Sequence, residues 1–79
     1  MNSLNSLIVE GTVSNKNNDG FILLNVRRNK VSHISVKYTR PIPASFLSIT
    51  DGNEIRIVGR LEGNNTTYVV PEHIEIVRR

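Results

Sequence analysis

The sequence predicts an all-β fold: five short strands closed into a small barrel, with one short helix between the third and fourth. Three observations predict it. Apolar residues recur at every second position along most of the chain, which is the period of strands and not the 3.6 of helices. Clusters of Asn, Asp and Gly divide the pattern at close spacing, as in small barrels and sandwiches. The alternation fails at one internal place, around Pro41 and Pro43, where neither residue can donate to a ladder.

The elements follow in order. Leu7, Val9 and Val13 alternate with Ile8, Glu10 and Thr12, giving a first strand over Ser6–Ser14 with Gly11 suited to a bulge or tight bend. Asn15–Gly20 is dense turn chemistry, and Asp19-Gly20 is a strong hairpin signal. The second strand is expected over Phe21–Arg28, with Ile22, Leu24 and Val26 inward and Phe21 facing out. A short turn at Asn29-Lys30 leads to a third strand near Val31–Tyr38. Pro43 is placed to open a short helix whose apolar side comprises Ala44, Phe46, Leu47 and Ile49, and Asp51-Gly52-Asn53 ends it. The fourth strand, Glu54–Leu61, sets Ile55, Ile57 and Leu61 inward and Arg56, Val58 and Arg60 outward, with a bend at Gly59. Gly63-Asn64-Asn65 turns into a fifth strand over Thr66–Val77, interrupted or bulged at Pro71. Five strands, a lone helix in that slot and mid-strand glycines favour the five-stranded OB barrel, a single domain over 1–79.

Length and composition bound the chemistry. The 79 residues suffice for one small core, and small domains often gain burial from partner subunits. There is no cysteine, hence no disulfide or thiolate site; with His33 and His73 as the strong nitrogen ligands, a structural zinc is not expected. Met1–Ser6 is polar and uncharged, unlike a secretory leader, and no apolar run reaches the roughly 20 residues of a membrane span. The expectation is a cytoplasmic protein without cofactor or small-molecule substrate. No nucleophile–base pairing, phosphate-binding glycine loop or carboxylate cluster suggests an enzyme.

The charge is +3, and its distribution is uneven. Residues 21–40 carry Arg27, Arg28, Lys30, Lys37 and Arg40 and no acid, whereas the segments on either side are each slightly negative. Such a stripe attracts polyanions by counterion release. It also coincides with the strands of an OB barrel that bind oligonucleotides or oligosaccharides.

Three stretches carry a resemblance: Asn5-Ser6-Leu7-Ile8-Val9-Glu10-Gly11-Thr12-Val13, Asp51-Gly52-Asn53-Glu54-Ile55-Arg56-Ile57-Val58-Gly59-Arg60-Leu61, and Glu72-His73-Ile74-Glu75-Ile76. In them the chain resembles the bacterial single-stranded-DNA-binding protein family, in a short-looped form comparable to the primosomal replication protein. The resemblance implies an OB barrel and sequence-independent binding of single-stranded DNA in replication or repair. It also implies a homodimer, or a tetramer by family analogy, and a base-stacking aromatic at Tyr38. Departures accompany it. The chain has no Trp and four aromatics in all, and it closes on Val77-Arg78-Arg79 without the acidic tail by which the family recruits partners.

The candidate DNA-binding residues are therefore Phe21, Arg27, Arg28, Lys30, Lys37, Tyr38, Arg40 and Arg60. Alternation points Arg27, Lys37 and Arg60 outward, while Arg28, Lys30 and Arg40 sit at turns or strand ends, all suited to phosphates. Tyr38 shares a face with Ile34 and Val36, which reads as core, against the stacking role the resemblance implies. Both readings stand, because a slip of one residue reverses every side chain. Phe46 reads as core and Tyr68 as core or rim packing. Arg56 has Glu54 on its own face as a local partner, and His33 reads as a surface or subunit-interface residue. The rival function is an OB module for protein assembly, and RNA is the alternative nucleic acid.

Overall fold

A computed structural model describes residues 6–39, 41–42, 44–63 and 65–78. Its elements are β1 (Ser6–Ser14), β2 (Gly20–Arg27), β3 (Lys30–Lys37), α1 (Ala44–Leu47), β4 (Glu54–Glu62) and β5 (Tyr68–Arg78). The strands close into a barrel in the order β1-β2-β3-β5-β4, with α1 between β3 and β4, as the strand pattern predicts. Expected Pro43 and Arg40 lie outside the described residues.

β1 is long because it serves two neighbours. Ser6–Thr12 pairs with β4, and Thr12–Ser14 pairs with β2. The strand changes partner at Gly11, where an added Cβ would lie 2.5 Å from the Leu24 carbonyl oxygen and 2.9 Å from Leu23 Cγ. Only a residue without a side chain lets β2 approach that closely, so the expected bend is there for a steric reason. Closure comes from a parallel contact of β3 with β5 at Val36↔Val69. Between β4 and β5 the register shifts at Val58/Gly59, opposite Pro71, so the residue with no N–H sits at the irregularity.

The core is built from alternate residues: Val13, Leu23, Val36, Ile55, Ile57 and Val69 are all buried, with Phe46 and Ile49 closing one end. Each such side chain contributes roughly 1.5–3 kcal/mol on burial. α1 is a single turn that delivers Phe46 to the core, but Ala44 and Leu47, expected on the same apolar side, are exposed. One turn cannot bury adjacent positions 100° apart on a helix.

Two further expectations are corrected. The hairpin between β2 and β3 turns at Arg28-Asn29, with φ of 53° and 65°, and not at Asn29-Lys30. Two consecutive positive φ values are the signature of a type I′ turn, which suits the right-handed twist of a tight hairpin. In β2 the inward set is Phe21 and Leu23, paired with Val36 and Ile34, while Val26 is 68% exposed. Phe21-Ile22-Leu23-Leu24 is apolar at every position, so alternation could not say which set faces in. The larger ring takes the interior. Leu61, expected inward, is exposed near the far end of β4.

Candidate nucleic-acid interface

The reversal of β2 redistributes the candidate residues. Phe21 is 3% exposed and meets Tyr38 edge-on, the ring centroids 6.0 Å apart. Tyr38 in turn stacks on Phe46 at 4.5 Å, and its hydroxyl is buried. Burial raises the Tyr38 hydroxyl above its ordinary pKa, since the phenolate would be poorly solvated. The expectation that Phe21 faces out is therefore overturned. Of the two readings of Tyr38, the structure has it packed against the core, because the hairpin register sets it on the side of Val36.

With Phe21 inward, the outward positions form a three-stranded surface. Thr12 of β1, Leu24 of β2 and His33 of β3 lie in one cross-strand row, and Ser14, Ile22 and Ser35 in the next. Lys37 continues this face, opposite Gly20, with its Nζ 4.7 Å from the centre of the Tyr68 ring. A cation over an aromatic face is held electrostatically while its charge stays available. His33 is exposed, as expected. The hydroxyls of Thr12, Ser14 and Ser35 were not singled out by the sequence, and only their pairing across the ladder could have grouped them.

Arg27 and Lys30 are paired across the hairpin on the other, core-side alternation, beyond the point where the barrel ends. Arg27 lines a cleft of about 490 Å³ with Ile8, Val9, Glu10, Asn25, Ser32 and Ile34, and the Glu10 carboxylate there is engaged by Arg56. The expectation that Arg27 and Lys37 share one outward face is thus corrected: they project from opposite faces of the same hairpin. Arg28 occupies the turn between them.

Arg60 is corrected more sharply. Its Nε donates to Glu62 at 2.7 Å and its guanidinium to Glu72 at 3.2 Å. Arg56 likewise takes Glu10 at 2.6 Å and Glu75 at 3.3 Å, and not the expected Glu54, which instead faces Arg78 at 3.7 Å. The Glu10 hydrogen bond and charge, followed by the charge of Glu75, raise Arg56 above its ordinary pKa, and the hydrogen bond that Arg60 donates to Glu62 leads the same effect at Arg60. Antiparallel strands place directly opposite residues closer than i, i+2 neighbours on one strand, so cross-strand partners compete well for Arg56. On β1, β4 and β5 together, Glu10, Glu54, Glu62, Glu72 and Glu75 outnumber Arg56, Arg60 and Arg78, so this exterior carries no excess of positive charge.

Lys16 is also committed. Its backbone N–H donates to Asp51 at 2.9 Å, while its ammonium reaches the Phe46 carbonyl at 3.0 Å and also the carbonyls of Leu47 and Ile49. Those carbonyls include acceptors left over at the end of the short helix. Among the described residues no ion pair involves Arg27, Arg28, Lys30 or Lys37. These four cations sit on the β2–β3 hairpin and its turn, divided between its two faces. No group of three or more His, Asp or Glu side chains is arranged to hold a metal ion among the described residues. No helix among them is long and apolar enough to cross a membrane.

No family model matches the chain, and no curated protein matches it. Among solved structures, the chain is similar to the mitochondrial single-stranded-DNA-binding protein of S. cerevisiae, with a TM-score of 0.75. The similarity covers 92% of each chain at 10% identity, and at that identity it speaks for the OB fold.

Proposed function

We propose that the protein binds single-stranded DNA without sequence preference, through the β2–β3 hairpin and the adjoining outer face of β1. One observation carries this reading. Arg56, Arg60 and Arg78 are matched by glutamates across the ladders, Arg60 also by Glu62 on its own strand, while Arg27, Arg28, Lys30 and Lys37 have no ion pair among the described residues and sit together on one hairpin. An unneutralised cluster is what releases counterions from a phosphate chain. The fold shared with a single-stranded-DNA-binding protein supports the same surface.

The proposed mechanism is mostly electrostatic. Phe21, Tyr38 and Phe46 are engaged with one another, so the aromatic platform on which bases stack in many such proteins is not built from them. Lys37 and the Thr12, Ser14 and Ser35 hydroxyls would hold phosphates and sugars, with Leu24 and His33 beneath the bases. A role in replication or repair, and membership of the bacterial family, belong to the same proposal. Titration of a fluorescent oligo-dT across salt tests it. Four phosphate contacts on a single strand predict a slope of log K against log salt of about −3. Affinity that ignores salt would refute the mechanism.

The chain is also proposed to act as a homodimer. The Ser6–Glu10 half of β1 pairs with β4 along one edge only, and Ile8 on it is 66% exposed. An open edge with an exposed apolar residue suits strand pairing with a second copy. A mass by light scattering equal to one chain would contradict it.

A further inference from the structure

The last ladder pair joining β1 to β2 is Thr12↔Leu24, and β3 meets β5 at Val36. The β2–β3 ladder nevertheless continues to Arg27↔Lys30. Residues 26–31 therefore form a two-stranded ribbon bare on both edges, and every residue from 26 to 33 is exposed. Beyond Leu24 the ribbon is steadied by Asn25, whose Nδ2 donates to the Glu10 carbonyl at 2.6 Å. Val26 and Val31 face each other on one side of it, and Arg27 and Lys30 on the other. Arg28 stands at the apex, with a positive φ that a side-chain-bearing residue adopts only at a cost.

We infer that this ribbon is an arm for duplex DNA, so that the protein engages the junction between double and single strands. The inference rests on the single-strand reading above. Dimensions favour it. Three residues beyond Leu24 carry the apex roughly 10 Å out, and a two-stranded ribbon with its side chains fits a major groove about 12 Å wide and 8.5 Å deep. Charge favours it as well. A single strand on the outer face reaches Lys37 directly and the three tip cations only by bending round the ribbon. A duplex offers one continuous phosphate wall to the face that carries Arg27 and Lys30, with Arg28 at the apex toward the groove floor. The exposed Val26–Val31 pair supplies an apolar edge suited to thymine methyls. The same cations repel a second positively charged ribbon, which disfavours self-association there.

The test compares two probes by fluorescence anisotropy at one salt concentration: oligo-dT alone, and a DNA hairpin duplex carrying a dT tail of the same length. The wild-type chain is expected to prefer the junction at least fivefold. Replacing Arg27, Arg28 and Lys30 together by Gln should bring that ratio close to one, with a smaller loss on oligo-dT. Lys37→Gln should weaken both probes and leave the ratio intact. Circular dichroism of each variant checks the fold. Oligo-dT binding with no junction preference would overturn the arm and leave the single-strand reading standing. Junction binding without oligo-dT binding would do the reverse, and binding of neither probe overturns both. Loss of self-association in the triple variant, with no junction preference in the wild type, would assign the ribbon to a protein partner instead.

Discussion

Tyr38 lies stacked on Phe46, their ring centroids 4.5 Å apart, with its hydroxyl buried and without a hydrogen-bond partner. The residue that a resemblance to base-stacking proteins would expose is here part of the packing that closes the barrel over α1. Two consequences are measurable.

Tyr38→Phe removes an unsatisfied buried hydroxyl and keeps the ring, so stability should rise by up to about 1 kcal/mol, with oligonucleotide affinity unchanged within twofold. The pH dependence has a definite sign. Because burial raises the folded-state pKa, the unfolded chain ionises first, and stability present below pH 10.0 should be lost as pH rises through the folded value. Urea unfolding between pH 8 and 11 should show that loss in the wild type and a smaller one in Tyr38→Phe. Equal losses would show that Tyr38 does not carry it.

The path from sequence to this site was uneven for physical reasons. β4 was legible because Ile55 and Ile57 alternate with charged Glu54 and Arg56 before a glycine bend, and β1 is bounded as the pattern predicts, Ser6–Ser14. β2 was not, because Phe21–Leu24 is apolar on both faces, and inward facing was decided by a type I′ turn at Arg28-Asn29 that carries no glycine. That single reversal moved Phe21 into the core and separated Arg27 from Lys37. The excess charge of residues 21–40 was legible, and so was Glu62 two residues from Arg60, but Glu72 was not, since it meets Arg60 only across the β4–β5 ladder.

Lys16 looks in the sequence like one more surface charge, yet its ammonium is bound to the Phe46, Leu47 and Ile49 carbonyls. Lys16→Met should destabilise the fold by about 1–3 kcal/mol, as carbonyls lose a charged donor. Its effect on DNA affinity should be less than twofold. Denaturant unfolding and the oligo-dT titration together check this, and a large affinity loss at full stability would place Lys16 on the binding surface instead.

Arg28 holds φ at 53° without the glycine or asparagine usual in such a turn. Arg28→Gly should therefore stabilise the hairpin by about 0.5–1 kcal/mol while weakening DNA binding. Thermal unfolding and anisotropy on the same preparations measure both. A variant that is less stable, or that binds as well as the wild type, would show that the backbone conformation and the cation are not in opposition there.

The central claim is that positive charge works where no carboxylate answers it. The most direct measurement compares two triple variants of equal charge change in one oligo-dT salt titration. One replaces Arg27, Lys30 and Lys37 by Gln, and the other replaces Arg56, Arg60 and Arg78 by Gln. The first should lose at least tenfold in affinity and flatten the salt slope by about 2, while the second should change affinity by less than threefold and keep the slope. Equal losses in the two variants would mean that net charge alone attracts the DNA and that the hairpin is not its site.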